Sequence, residues 1–455
     1  MINIHFIAIG GSVMHQLAIA LHKKGYHVTG SDDEIFEPAK TNLAQYKLLP
    51  ADTVWFPEKI TADINAIILG MHAKDDNPEL AKAKSLGLNI YSFPEYIGKE
   101  SKDKMRIVVG GSHGKTTTTS MIMHVFKQSG LPFDYMVGAK LAGFEQSVNI
   151  TDAPVIICEG DEYPASAIEK RPKFHFLFPH IAIITGIAWD HINVFPTFDI
   201  YLEQFIIFIN KIESGGVLIY NETDKTLKKL VESNRREDIR YQPYGVPEHT
   251  ITNGITTVTL NDESTPLLVF GDHNLMNLNA AYLACTSYGI STDVFIKAIR
   301  SFSGAAKRLE VMATSDSVTV FRDFAHAPSK VKATIEAVKK QFPNRVFYAV
   351  LELHTYSSLN KNFLTEYAGA MQDADVAVVF YSQHALQLKR LPKLDKQEVV
   401  QGFEKPGLLV FDDKDELWEW LHEQHIVNAN LVLMSSGNYD GLAMDVFAKE
   451  LTTKN

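Results

Sequence analysis

An α/β protein of three domains on mostly parallel sheets is predicted by three features of the 455-residue sequence. Short apolar runs alternate with helix-patterned segments along nearly the whole chain, the order expected of βαβ units. Glycine turns follow apolar runs at Gly10-Gly11 and Gly110-Gly111, where such units place ligand loops. The length suits about three domains at roughly 150 residues each. The limits read from the sequence are 1–103 for a Rossmann-like domain, 104–302 for a phosphate-loop domain and 303–455 for a third α/β domain.

Taken in order, the run from Asn3 predicts a strand, residues 14–22 a helix, and the segment ending at Ser31 and Asp32 a second strand. Polar residues 99–104 interrupt the apolar rhythm and are read as a linker. A fresh βα unit follows, with a strand at 106–109 and a helix at 120–127. Strands at 155–158, 182–185 and 216–220 and helices at 200–211 and 277–288 complete the central domain. Beyond Gly304 the runs TVFRDFA, FYAVLEL, DVAVVFY, GLLVF and NLVLMSSG predict five more strands.

Composition narrows the function. Lys plus Arg number 44 against 54 Asp plus Glu, a net charge of -10, so no overall positive field draws nucleic acid or anionic lipid. Only Cys158 and Cys285 are present, both in apolar runs, which suits a reducing cytoplasm. No basic leader precedes the first apolar run, and no apolar stretch of about 18 residues is found, so neither secretion nor membrane insertion is expected.

The strongest chemical signal is Gly111-Ser112-His113-Gly114-Lys115-Thr116-Thr117, between a predicted strand and a predicted helix. Its backbone N–H groups can face phosphate oxygens, Lys115 can bridge terminal phosphates, and the Thr116 hydroxyl can take a Mg²⁺ position. Val109 stands where the longer Walker pattern has its first glycine, so the loop is a shortened variant. ATP is the expected ligand. An acid for Mg²⁺ is expected at a neighbouring strand end, and Glu159 occupies one, in the run Glu159-Gly160-Asp161-Glu162-Tyr163. A solvated acidic loop is the competing reading. His191, after Trp189-Asp190, ends another strand and can serve a second Mg²⁺ or the substrate, or be purely structural.

The phosphate loop, Glu159–Tyr163, Trp189-Asp190-His191 and the later Gly271-Asp272-His273-Asn274-Leu275-Met276-Asn277 stand in the order of the Mur ligase family, which the chain resembles over nearly its whole length. The resemblance implies a Rossmann-like UDP-sugar domain, a central ATPase domain, and a Rossmann-like C-terminal domain that closes over ATP and brings the amine. It implies an ATP-dependent ligase that joins UDP-N-acetylmuramate to an amino acid or peptide in peptidoglycan metabolism. Glu162-Tyr163 and the run from Glu169 to Phe174 look most like the branch that adds L-alanyl-γ-D-glutamyl-meso-diaminopimelate; the branch that adds L-alanine is the near relative. By resemblance Asn274 and Asn277 contact adenine, Arg308 the phosphates and Asp323 the ribose. His354 and Tyr356 fall in the amine-substrate region, where an Arg is usual, and Lys307 and Ala327 also depart from the common pattern.

In the first domain Gly11, Ser12, Asp32 and His72 are candidate UDP-sugar contacts. His15 replaces the last glycine of a dinucleotide fingerprint, which disfavours NAD. Two other classes compete with the ligase: a phosphate-loop switch without a sugar substrate, and a noncatalytic nucleotide-sugar sensor.

Overall fold

The computed structural model describes residues 2–138, 141, 143–189, 194–304 and 308–453. Among the described residues four sheets hold the strands, and the α/β class with mostly parallel sheets is observed. The first sheet has four parallel strands, in the order His27–Ser31, Asn3–Ile7, Ala66–Leu69, Ile90–Ser92. The second sheet runs Arg240–Tyr244, Val217–Asn221, Ile181–Ile184, Met105–Gly110, Val155–Glu159, Asp134–Met136, with Val148–Asn149 antiparallel at its edge. Its middle strands are continuous apolar runs: Ile107, Val108, Val109, Ile156, Ile157 and Ile183 are all inaccessible, as a parallel sheet covered on both faces requires.

A three-stranded antiparallel meander, His249–Thr252, Ile255–Leu260 and Glu263–Leu267, departs from the predicted alternation. Its turns are written locally. Asn253 and Gly254 have φ of 52° and 74°, and Asn261 and Asp262 have 48° and 65°, residue types that tolerate the left-handed region. The fourth sheet runs Glu310–Thr314, Val318–Asp323, Ala429–Met434, Val346–Leu353, Val376–Tyr381, Leu409–Phe411, parallel except for its first strand.

The chain divides into two compact units, Met1–Pro247 with Met276–Ile299, and Glu248–Leu275 with Arg300–Asn455. The first two predicted domains share one unit, and the meander belongs with the C-terminal sheet. Phe270 packs edge-on to Phe321 and Phe342, at 5.6 and 5.7 Å between ring centres. Thr256 Oγ1 donates to Gln341 Oε1 at 2.8 Å and Gln341 Nε2 donates to the Gly254 carbonyl at 2.7 Å. That pairing satisfies the buried side chains of Thr256 and Gln341.

The expected linker at 99–104 is not a free segment. The helix Phe93–Glu100 extends into it, started by a capping box between Ser92 and Glu95. Lys104 is buried, and its Nζ donates to Asp134 Oδ2 at 2.5 Å and to the carbonyls of Thr151 and Ala153. No helix among the described residues is long and apolar enough to cross a membrane.

Candidate active site

The phosphate loop leaves the strand Met105–Gly110 and ends where the helix Lys115–Gln128 begins. That helix starts five residues earlier than its sequence pattern suggests because Gly114, at φ 85°, turns the chain directly into it. The threonines therefore form its first turns. A side chain at Gly114 would strike the amide oxygen of Asn277, which is buried against the loop and accepts from Thr118 Oγ1 at 3.3 Å. Gly111, at φ 120°, lies equally close to Thr185, so a Cβ is excluded there too.

Lys115 Nζ donates to the Gly111 carbonyl at 2.6 Å and to Glu162 Oε2 at 2.7 Å. Burial alone would lower its pKa, but Glu162, Asp161 and Glu159 outweigh burial and hold the ammonium above its ordinary value. Glu162, only 1% exposed, also accepts from the Tyr201 hydroxyl at 3.3 Å, and that hydroxyl lies 2.9 Å from Ser112 Oγ. Ser112 Oγ in turn donates to the Ala188 carbonyl at 2.8 Å. His113 contributes its ring to its own turn, with Nδ1 2.9 Å from the Ser112 carbonyl. The sequence pattern quoted Glu162 but gave it no role, and Tyr201 carried no signal at all.

Thr116 Oγ1 donates to Glu159 Oε1 at 2.9 Å, and Gly138 N donates to Glu159 Oε2 at 2.9 Å. Burial pushes the Glu159 carboxyl above its ordinary value, against the pull of the Gly138 N–H and Lys115. Thr116 and Glu159 supply two hard oxygen donors side by side, the small protein share that Mg²⁺ takes when nucleotide phosphates and water complete its shell. Those donors fit the ion. Among the described residues no group of three or more His, Cys, Asp or Glu side chains forms a metal cage. His191 and Asp190 lie outside the described residues.

In the first sheet, Gly11, Ser12, Asp32 and His72 gather just past the carboxyl ends of three neighbouring strands, the crevice where open α/β sheets bind ligands. Ser12 and His72 are exposed. Asp32 is buried and braces the loop: it accepts from Gly10 N at 2.7 Å and Glu34 N at 3.4 Å. His15 fills the space of the missing glycine, its Nδ1 2.9 Å from the Gly11 carbonyl.

In the second unit, Asp323 is also a brace. Its Oδ2 accepts from Leu309 N and its Oδ1 from Ala325 N, both at 2.7 Å. The Arg308 guanidinium lies 5.2 Å from the centre of the Phe324 ring, and Lys307 lies outside the described residues. Asn274 is buried, with its amide donating to the Phe270 carbonyl at 2.9 Å. His354 sits beside Glu352. Tyr356 is exposed, with the Lys389 ammonium 5.5 Å from its ring centre.

Three family models match the chain: Mur ligase family, catalytic domain, over residues 3–104; Mur ligase middle domain over 109–285; and Mur ligase, glutamate ligase domain, over 307–437. The chain is 30% identical over 386 residues to the UDP-N-acetylmuramate–L-alanine ligase of Sulfurihydrogenibium, an alignment covering 83% of this chain and 82% of the relative. Among solved structures it resembles the UDP-N-acetylmuramate–alanine ligase of Thermotoga maritima, at 20% identity, TM-score 0.69, and coverage of 100% and 98%. The murein peptide ligase of Psychrobacter arcticus is similar at 21% identity, TM-score 0.62, and the same coverage. At those identities the structural likeness speaks for the fold.

Proposed function

The chain belongs to the Mur ligase family of ATP-dependent acid–amino-acid ligases, and from that we propose that it joins L-alanine to the lactyl carboxylate of UDP-N-acetylmuramate in peptidoglycan synthesis. The observation that carries this reading is the loop in which Lys115, Thr116 and Glu159 converge, with Thr116 Oγ1 2.9 Å from Glu159. The expected tripeptide substrate gives way to L-alanine because the curated relatives are named as L-alanine ligases. The tripeptide remains the second reading, favoured by Glu162-Tyr163 and the run from Glu169 to Phe174.

A carboxylate resists amines because it is anionic and lacks a leaving group. In the proposed reaction its oxygen attacks the γ-phosphorus of ATP, the bond to the β-phosphate oxygen breaks, and ADP leaves. The product is an acyl phosphate, whose carbonyl carbon the amine attacks as phosphate departs. Backbone N–H groups of residues 111–116 and the Lys115 ammonium would stabilise charge on the transferring phosphoryl group. Thr116 and Glu159 would hold Mg²⁺, which supplies Lewis-acid neutralisation of the phosphate oxygens. Asn277 would contact the nucleotide, with Asn274, Arg308 and Asp323 in the roles the family gives them. Gly11, Ser12, Asp32 and His72 would line the UDP-sugar site, with the domain limits 1–103, 104–302 and 303–455 kept as functional divisions.

The test is ADP release from ATP with UDP-N-acetylmuramate and a panel of amines including L-alanine and the tripeptide. Release that requires both UDP-N-acetylmuramate and L-alanine is expected. Release with the tripeptide alone moves the assignment to the second reading, and release with no amine of the panel overturns both.

A further inference from the structure

We propose that Tyr201 is a positioning residue of the phosphate loop: its hydroxyl bridges Ser112 and Glu162, and through Glu162 it sets the place of the Lys115 ammonium. The proposal rests on the nucleotide role given to that loop above. Every residue in it belongs to the first compact unit.

A lysine serves terminal phosphates as a point charge on a flexible stem, so its usefulness depends on what holds the ammonium. Glu162, Asp161 and Glu159 all lie near Lys115, and the last two have partners of their own. Asp161 Oδ2 accepts from Lys173 Nζ at 2.5 Å, and Glu159 accepts from Thr116 Oγ1 and Gly138 N. Glu162 is left for Lys115, whose Nζ donates to its Oε2 at 2.7 Å. A carboxylate held at one oxygen can still turn about its side-chain torsions. The second oxygen removes that freedom, because Glu162 Oε1 accepts from the Tyr201 hydroxyl at 3.3 Å. Glu162 is only 1% exposed, so bulk water does not compete for that bond.

The tyrosine is itself fixed. Thr197 caps the helix Phe198–Asn210 by accepting from Ile200 N at 3.3 Å, and Tyr201 N donates to the Thr197 carbonyl at 3.2 Å. The side chain is fully buried, its ring packing on Phe195 and Phe205 at 5.4 and 5.2 Å between centres.

The hydroxyl also reaches the loop. Ser112 Oγ lies 2.9 Å from the phenolic oxygen and accepts from Ala188 N at 2.8 Å, while Ser112 N donates to the Gly186 carbonyl at 2.9 Å. The single Ser112 hydrogen faces two oxygens, that of Tyr201 and the Ala188 carbonyl. Ala188 is exposed and its carbonyl can turn to solvent, whereas Glu162 needs the tyrosine hydrogen. A chain of donors from Ser112 through Tyr201 to Glu162 therefore ends on the carboxylate that holds Lys115. One phenolic oxygen couples the turn of the loop to the anchor of its lysine.

The experiment measures the dissociation constant of Mg·ATP by calorimetry for wild type, Tyr201→Phe, Glu162→Ala and the double variant. Phenylalanine keeps the ring packing, so the melting temperature of Tyr201→Phe is expected within about 3 °C of wild type. Tyr201→Phe alone is expected to weaken ATP roughly 10-fold, the size expected for a hydrogen bond to a charged group. In the Glu162→Ala background the same change is expected to add less than about 2-fold, because the hydroxyl acts through that carboxylate. If Glu162→Ala does not fold, Lys115→Ala serves as the background with the same expectation. An unchanged ATP affinity in Tyr201→Phe, or a loss that persists in full in the second background, overturns the positioning role. Wild type that binds Mg·ATP but releases no ADP with UDP-N-acetylmuramate and the amine panel overturns the ligase reading, and the affinities still decide the role of Tyr201. Wild type that binds no ATP overturns both.

Discussion

At the scale of single residues, burial decides which side chains carry charge. His175 directly follows the run from Glu169 to Phe174 and is buried, with Nε2 2.9 Å from the Gln204 carbonyl. Burial pushes its imidazole down to about 4. An unfolded chain protonates this histidine near 6.5, whereas the folded one protonates it only near 4, so between those values the unfolded state binds more protons. Its contribution to stability is complete above about pH 6.5 and is lost as pH falls toward 4, by up to about 3 kcal/mol. We expect His175→Gln to flatten the fall in urea midpoint between about pH 7 and 4.5, and an unchanged slope would exclude the histidine. The residues legible in the sequence were those marked by spacing, such as Lys115, Thr116 and Glu159. Tyr201 was not, because its importance comes from partners 39 and 89 positions away along the chain.

At the scale of elements, the succession of strands and helices along the chain was readable and element ends were less so. Continuous apolar runs such as Ile181–Ile184 announce a strand covered on both faces. The meander at 249–267 did carry a signal, Asn253-Gly254 and Asn261-Asp262 spaced for two tight turns, but alternation with helices masked it. Residues 99–104 look like a linker because they are polar. Their structural role depends on Lys104 reaching Asp134, 30 positions on, across which Asp134 also accepts from Thr151 N at 2.8 Å. Removing one partner of a buried pair leaves the other charge uncompensated. Asp134→Asn is therefore expected to destabilise the chain by about 3–5 kcal/mol in urea unfolding, and a loss below about 1 kcal/mol would mean that the three carbonyl and carboxylate partners of Lys104 are interchangeable with water.

At the scale of the whole molecule, the chain crosses between its two compact units three times, after Pro247, Leu275 and Ile299. Sequence reading divides a chain at breaks in pattern, and none marks the meander as belonging with strands more than 50 residues later. Phe270 is the test of that assignment, since it packs on Phe321 and Phe342. Phe270→Ala is expected to cost about 3–5 kcal/mol, and to speed amide hydrogen exchange in Val318–Asp323 while leaving Met105–Gly110 protected. Equal acceleration in both strands would contradict the division.

The same threading sets a timetable for synthesis. Ribosomes add about 5–20 residues per second, so the meander emerges several seconds before Gln341 exists to receive Thr256. During that interval its edges and the ring of Phe270 are without their partners, and the first compact unit still waits for Met276–Ile299, so the nascent chain is most exposed to mispairing then.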